Sequence, residues 1–306
     1  MIYLYGGKGY VGSNIAKYLN LKDVKNTVLT KKSSFSKAIK SKIDFNDSTI
    51  EKNSTLIYLL NGNKNKTIKD MENFCYFIKR SNIKFKTIIL FSSISVYDGL
   101  MIKDLREVVT LKSNNSLRDY YGKLSAENIL LKELSKSKII IFRVGRIIGQ
   151  GSYWFETIQK YIKKNKNCLI QSSAKGSFIS IREICFLNHL ALQGKIPAGI
   201  YNIASKSNLS YSEIMNYFST KDCKIYSKFT IECIRSFYLF FSPFVFLLNK
   251  VKITNFPILT PGLYSSINDF RIVNIDKIKN IAPKSTWTLT KDLKSLNKSY
   301  GNQKFK

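Results

Sequence analysis

Short apolar runs alternate with helical patterns along the first half of the chain. Six runs of strand length are found, at 2–6, 26–30, 41–45, 55–60, 87–93 and 138–145. Three segments carry apolar residues at helical spacing, at 14–21, 71–83 and 117–137. Alternating strands and helices predict βαβ units, and uninterrupted apolar strands predict a parallel sheet covered on both faces. We therefore expect an α/β fold with a doubly wound sheet.

The second half is less regular. We predict a helix at 153–165, strands at 176–181 and 199–204, and a helix at 210–218. Ser210 followed by Glu213 is typical of a capping box, which would begin that last helix. The predicted division is a nucleotide-binding domain at 1–150, to which strand segments from about 176–204 return, and a smaller lobe made mainly of 151–306.

The first predicted strand ends in a glycine-rich turn, "YGGKGYVG" at 5–12. Gly6, Gly9 and Gly12 have the spacing G-x-x-G-x-x-G, directly after a strand and at the beginning of a helix. Such a turn lets the backbone approach a pyrophosphate, and the free N–H groups of the helix N-terminus then face it. We predict a Rossmann-type NAD(P) site, with Tyr10 and Val11 beside the three glycines as cofactor contacts.

The end of the second strand bears on the choice of cofactor. An acidic residue there usually holds the ribose of NAD, whereas this chain has Lys31 and Lys32 in "VLTKKSS". A cationic pair suits the additional phosphate of NADP, so the sequence favours NADP(H), with Lys31 as a contact. The alternative is that these lysines only reflect the high lysine content.

Together these segments resemble the extended short-chain dehydrogenase/reductase family of nucleotide-sugar epimerases, dehydratases and reductases. The matching segments include "GGKGYVG" at 6–12, "FSSISVYDG" at 91–99, "FRVGRIIGQGS" at 142–152 and "GIYNIAS" at 199–205. The segment at 176–183, "GSFISIRE", departs from the family pattern. The resemblance implies an NAD(P)-dependent epimerase or reductase, acting on a nucleotide-linked or lipid-diphosphate-linked sugar in bacterial surface polysaccharide biosynthesis.

The resemblance also implies a catalytic set. Ser93, three residues before Val96, matches the family serine that hydrogen-bonds the reacting oxygen, with Ser92 as the alternative. Lys123 in "KLSAENILL" matches the lysine that holds the nicotinamide ribose and lowers the pKa of a catalytic tyrosine. That tyrosine exchanges a proton with the sugar oxygen.

The tyrosine itself does not have the family spacing of four residues before the lysine. Tyr120 lies three residues and Tyr121 two residues before Lys123. In a continuous helix at ~100° per residue, three positions keep the side chains on one side and two do not. We predict Tyr120, with two alternatives. Either Tyr121 serves, which requires a helix that begins irregularly at Gly122 or a register that places Ser125 at the lysine position, or there is no acid–base pair and the protein is a nucleotide-binding sensor or scaffold.

The formal net charge is +30, from 50 Lys and Arg against 20 Asp and Glu. A diphosphate substrate would account for part of this charge. Arg146 is the predicted substrate contact, and Arg143 is a second candidate, for which a structural role is the alternative. Compositional drift is the other explanation, because basic residues are spread along the chain. No nucleic-acid-binding motif is visible, so no nucleic-acid partner is expected.

The apolar run at 237–248 is too short for a bilayer span, which needs ~20 residues, and Pro243 interrupts it. With no visible secretory signal, a cytoplasmic protein is expected, and the basic residues beside this run leave a peripheral membrane contact open. A homodimer is also left open. His189 and five widely spaced cysteines predict neither a metal site nor disulfides.

Overall fold

A computed structural model describes the chain at 1–30, 50–60, 64–81, 83–97, 104–107, 111, 122–164, 170–171, 175–206, 209–217, 225–226, 233, 272–283 and 286–302. The described residues form two compact units. The first lies within Met1–Gly145, Ile181–Lys206 and Val273–Trp287. The second lies within Arg146–Ser180, Ser207–Ile272 and Thr288–Lys306.

The secondary structure follows the predicted alternation. The described strands are β1 (Ile2–Tyr5), β2 (Asn26–Leu29), β3 (Thr55–Leu59), β4 (Thr87–Ser93), β5 (Lys138–Val144), β6 (Arg146–Ile148), β7 (Ile170–Gln171), β8 (Phe178–Ser180), β9 (Gly199–Ile203) and β10 (Ile225–Tyr226). The described helices are α1 (Tyr10–Asn20), α2 (Lys64–Arg80), α3 (Lys123–Glu133), α4 (Tyr153–Lys164), α5 (Ile181–Leu192), α6 (Tyr211–Asn216), α7 (Asp276–Lys279) and α8 (Leu289–Asn302). A 3₁₀ turn, Ile94–Tyr97, follows β4.

The first unit is built on a six-stranded sheet in the order β2-β1-β3-β4-β5-β9. Every described pairing in it is parallel. The chain order reverses beside β1, and ligands in open parallel sheets bind at such a point, outside the carboxyl ends of the strands. The predicted Rossmann-type fold is confirmed.

Both faces of this sheet are buried, which explains the uninterrupted apolar strands. Alternate residues of β3 and β4 pack against α2 and α3 in one core, where Phe74, Phe77 and Leu130 are 0–2% exposed. The intervening residues, such as Ile57 and Ile89, are also fully buried. Helices α1 and α5 pack together within the same unit.

The second unit has two small parallel pairs, β6 with β8 and β7 with β10. Its aromatic cluster is formed by Trp154, Phe178 and Tyr211, with ring centroids 5.1–6.0 Å apart. The predicted capping box is confirmed at α6. The Glu213 N–H donates to Ser210 Oγ at 3.1 Å, and the Ser210 N–H donates to Glu213 Oε2 at 2.6 Å.

Two predicted helices have wrong boundaries. The helix expected from residue 71 begins at Lys64. The helix expected at 117–137 ends at Glu133 and begins at Lys123, because Gly122 has a left-handed conformation that regular helix does not contain. The strand predicted at 41–45 and the apolar run at 237–248 lie outside the described residues. Among the described helices, none is both long and apolar enough to cross a membrane.

Candidate functional site

The glycine loop joins β1 to α1 at the carboxyl edge of the sheet. Gly6 lies in the turn, Gly9 is the N-cap of α1, and Tyr10, Val11 and Gly12 form its first turn. A Cβ on Gly12 would lie 2.5 Å from Gly7 Cα, so only glycine lets the helix pack this close to the loop. The loop geometry that the spacing predicted is therefore present.

The beginning of α1 fits a diphosphate. Its N-cap makes no side-chain hydrogen bond, and its first turn contains no acidic residue. The first N–H groups of a helix have no carbonyl partner within it and carry partial positive charge. These residues fit the pyrophosphate of a dinucleotide. Lys31, the predicted contact for NADP, lies outside the described residues.

Ser93 is the last residue of β4 and is oriented by the turn that follows. Its Oγ accepts a hydrogen bond from the Ser95 N–H at 3.2 Å. The hydroxyl hydrogen is then available to donate to a ligand oxygen at the carboxyl edge of the sheet. Ser92 differs, because it is 4% exposed and its Oγ has no partner among the described residues.

Lys123 is the first residue of α3, and its neighbours place it beside the Ser93 turn. Leu124 packs with Ile94 and Val96 in one buried cluster. The Lys123 residue is partly exposed, yet burial lowers the pKa of its ammonium to about 8, against the opposing effect of Glu127. Such a pKa suits a group that stays cationic near neutral pH and readily exchanges a proton.

Glu127 lies one turn along α3 from Lys123 and is paired with Arg143 of β5. Arg143 Nη2 lies 2.7 Å and Nε 3.1 Å from Glu127 Oε2, and Nε lies 3.3 Å from Oε1. The two side chains are 4% and 1% exposed. Burial alone would lower the pKa of Arg143, but contact with Glu127 and Tyr97 raises it. Arg143 is thus structural, as the alternative interpretation held.

The network continues from Arg143 through two further buried groups. Arg143 Nη1 donates to Tyr97 Oη at 2.8 Å, and the Tyr97 hydroxyl donates to Asn202 Oδ1 at 2.8 Å. Burial raises the pKa of Tyr97 although Arg143 and Asn202 oppose this. Asn202 Nδ2 donates to the carbonyl oxygens of Leu105 and Asn274 at 2.9 and 3.1 Å. Helix α3, the turn after Ser93 and two loops are thereby fixed to the sheet.

Gly122 changes how the tyrosines relate to Lys123. Its φ is +65°, and its carbonyl oxygen accepts the N–H of Ala126, which closes the first turn of α3. The angular argument for Tyr120 assumed a continuous helix through this position, and that assumption is wrong. Tyr120 and Tyr121 lie outside the described residues, so the choice between them stays a prediction.

Arg146, the predicted substrate contact, lies in the second unit. Its guanidinium carbon is 5.8 Å from the centroid of the Tyr211 ring, which belongs to the aromatic cluster of that unit. The indole N–H of Trp154 is buried there without a partner among the described residues. The second unit therefore presents a cation and aromatic rings together.

The sequence matches one family model over residues 2–204, that of the NAD-dependent epimerase/dehydratase family. The chain belongs to this family. Enzymes of this family are NAD(P)-dependent and of the extended short-chain dehydrogenase type, as the sequence motifs indicated. Among curated proteins, none matches the chain in sequence.

Solved structures of the family share the fold. A human epimerase family protein, SDR39U1, with NADPH is 10% identical, with a TM-score of 0.68, and the match covers 97% of this chain and 99% of that one. dTDP-glucose 4,6-dehydratase from Bacillus anthracis, with NAD, is 14% identical, with a TM-score of 0.62 and coverages of 98% and 96%. UDP-N-acetylglucosamine 4-epimerase from Bacillus cereus is 18% identical, with a TM-score of 0.57 and coverages of 74% and 87%.

The sequence did not reveal the buried network around Arg143. Tyr97 and Asn202 are 105 positions apart, and neither has a local pattern that predicts the contact. One signal was present, since Arg143 lies within an otherwise apolar predicted strand, where an unpaired charge would be costly.

Proposed function

We propose that the protein is an NAD(P)-dependent epimerase or reductase of a nucleotide-linked or lipid-diphosphate-linked sugar. The observation that carries the proposal is the placement of Lys123. It begins α3 beside the turn that follows Ser93, in the unit that holds the glycine loop. The first unit would bind the dinucleotide, and the second would bind most of the substrate.

Each residue has a defined role in this proposal. Gly6, Gly9, Tyr10, Val11 and Gly12 bind the diphosphate through backbone N–H groups. NAD(P), when bound, supplies the nicotinamide that exchanges hydride with the sugar carbon.

Three side chains then act on the reacting groups. Ser93 donates its hydroxyl hydrogen to the sugar oxygen. The Lys123 ammonium holds the nicotinamide ribose and favours the phenolate of a nearby tyrosine.

Tyr120 is the proposed acid–base residue, and Tyr121 is the alternative. The left-handed Gly122 makes the helical argument between them invalid, so the choice depends on experiment. Turnover, dinucleotide affinity and fold should be measured for Tyr120→Phe and Tyr121→Phe as a matched pair. A steep loss of turnover in Tyr120→Phe alone, with dinucleotide affinity kept, supports the assignment, and full activity in that variant refutes it.

The substrate class rests on charge and on the neighbouring structures, which act on UDP- and dTDP-linked sugars by their names. Arg146 beside Tyr211 would bind the diphosphate or the base. A role in surface polysaccharide synthesis in the cytoplasm follows from this class, with residues 237–248 as a candidate membrane contact and a homodimer as a further candidate. Turnover of UDP- and dTDP-sugars, with and without Arg146→Gln, tests the class.

NADP(H) is the proposed preferred cofactor because Lys31 and Lys32 follow the second strand in the sequence, with no carboxylate beside them. Titration with NADPH and NADH gives the ratio of the two dissociation constants. Lys31→Asp should shift that ratio toward NADH. Equal affinities in the wild type would refute the preference.

A second candidate is a nucleotide-binding protein without catalysis, a sensor or scaffold. The irregular spacing between the two tyrosines and Lys123 in the sequence favours it. Dinucleotide binding without hydride exchange on any sugar of the panel, in the wild type, would support this candidate over the enzyme.

A further inference from the structure

Lys123 and Glu127 are four residues apart on α3 and therefore lie on the same side of the helix. Side chains at this spacing have Cβ atoms about 5–6 Å apart, and opposite charges there commonly pair. Within the described part of the chain, however, Lys123 forms no ion pair, and Glu127 pairs with Arg143 instead. The carboxylate thus has a stronger partner than the lysine on its own helix.

The Arg143 contact occupies both carboxylate oxygens of Glu127. Three N–H···O contacts of 2.7–3.3 Å join them, and the remaining Arg143 nitrogen, Nη1, donates to Tyr97. Arg143 offsets part of the negative charge of Glu127, and the part that remains raises the pKa of Lys123 less than burial lowers it. Burial therefore prevails, and the pKa of Lys123 is lowered to about 8.

We propose that Arg143 is a positioning residue that holds Glu127 away from Lys123 and so leaves the ammonium available to the cofactor ribose and the acid–base tyrosine. This inference rests on the proposed role of Lys123. Without Arg143, Glu127 would pair with Lys123, raise its pKa and compete with those ligands.

Helix α2, strand β4 and the turn after β4 pack against α3, and titratable groups lie on α2 and on that turn. The titratable or charged groups are Lys64, Lys66, Lys69, Asp70, Glu72, Cys75, Tyr76, Lys79 and Arg80 of α2, of which Lys79 pairs with Glu133 of α3, and Tyr97 of the turn after β4. Glu127 is the charge that acts on the pKa of Lys123. Substitution of Arg143 by an uncharged residue should therefore raise the pKa of Lys123, because Glu127 is then no longer paired.

The test measures the pKa of Lys123 from its acetylation rate as a function of pH, by mass spectrometry of the labelled peptide. Exposed Lys132 of the same helix serves as the internal reference. The midpoint for the wild type should lie near 8. For Arg143→Gln it should rise by about one pH unit, the usual effect of an adjacent opposite charge.

Two further variants separate charge from packing. Arg143→Lys keeps the cation and should shift the midpoint less than Arg143→Gln, so an equal shift would overturn the electrostatic role. Arg143→Gln/Glu127→Gln removes both charges and should stay within about half a unit of the wild type. If Arg143→Gln does not fold, this double variant decides alone.

An unchanged midpoint in folded Arg143→Gln overturns the inference. A fall of about one unit or more in the double variant also overturns it, because Glu127 would then support Lys123 directly. Labelling needs neither cofactor nor substrate. If the labelling midpoints are those expected but no sugar reacts, the proposed function fails while the positioning role of Arg143 stands. If sugars react but the midpoint does not change in Arg143→Gln, the positioning role fails while the proposed function stands.

Discussion

Arg143 of β5 and Glu127 of α3 form a buried ion pair in which Arg143 Nη2 lies 2.7 Å from Glu127 Oε2. The pair connects the strand beside β4 to the helix that begins with Lys123. Charges in the interior stabilise a fold only while both partners remain, because removal of one leaves the other unpaired and poorly solvated. The pair is therefore a point where single substitutions should be severe.

Glu127→Ala should lower the free energy of unfolding by about 3–5 kcal/mol, since it leaves the Arg143 cation buried without its partner. The matched control is Glu133→Ala, on the same helix, which removes a solvent-exposed pair with Lys79 and should cost far less, because water already screens that pair. Urea unfolding measures both. Similar losses in the two variants would contradict the distinction between a buried and an exposed pair.

Gly122→Ala should destabilise the protein through both backbone strain and a clash. The residue has φ +65°, and an added Cβ would lie 2.6 Å from the Lys64 carbonyl oxygen. Gly194→Ala is the matched control, because Gly194 has φ +78° and nothing lies within 4 Å of its added Cβ. The left-handed conformation alone should cost about 1–2 kcal/mol, and the clash at Gly122 about 1–3 kcal/mol more. Equal losses in thermal or urea unfolding would contradict the clash.

The sheet and the glycine loop could be predicted from the sequence because their signals are local. Apolar runs of strand length reveal β3 and β4, and three glycines at fixed spacing reveal the turn before α1. The capping box at Ser210 and Glu213 is equally local, since three residues contain it. Each of these follows from backbone geometry over a few positions.

The beginning of α3 and the network around Asn202 could not be predicted in this way. The spacing of Lys123 and Glu127 indicates a helix, but nothing in it shows that Gly122 is left-handed and ends the regular geometry. Asn202 meets Tyr97 and Leu105 only after β9 has paired with β5, so its contacts depend on the tertiary fold. Local patterns carry no information about such contacts.

Lys123→Met should stabilise the fold while it removes dinucleotide-dependent function. The pKa of Lys123 is lowered to about 8 in the native protein and is about 10.4 in the unfolded chain. Below pH 8 the native state holds a charge in a site that disfavours it. Between these pKa values the unfolded chain binds more protons, so this penalty diminishes as the pH rises.

The expected gain for Lys123→Met is about 1–2 kcal/mol at pH 7, reduced from the full linkage value because the residue is partly exposed, and it should shrink toward pH 10. Urea unfolding at both pH values checks it. Lys132→Met, at an exposed position of α3, should change stability by less than about 0.5 kcal/mol. A gain that does not depend on pH would contradict the role of the lysine charge.

Ser93→Ala and Ser92→Ala should separate a ligand-facing hydroxyl from a buried one. Ser93→Ala removes the proposed donor to the reacting oxygen and should lower kcat by about 10²-fold, with dinucleotide affinity kept. Ser92→Ala removes a hydroxyl that has no partner among the described residues, so turnover should stay within about twofold and stability should not fall. Equal losses of kcat in the two variants would show that the assignment of this role to Ser93 is wrong.

Asn188→Leu should stabilise the protein, because Asn188 is fully buried in α5 and neither Oδ1 nor Nδ2 has a partner among the described residues. Replacing an unpaired amide with an apolar side chain of similar size should raise the free energy of unfolding by about 1 kcal/mol. Asn202→Leu is the matched control, since that equally buried amide bonds to Tyr97, Leu105 and Asn274. Its replacement should cost about 2–4 kcal/mol, because those partners are left unpaired. Urea unfolding of both variants checks the opposite signs, and a loss of stability in Asn188→Leu would show that its amide makes a stabilising contact in the folded protein.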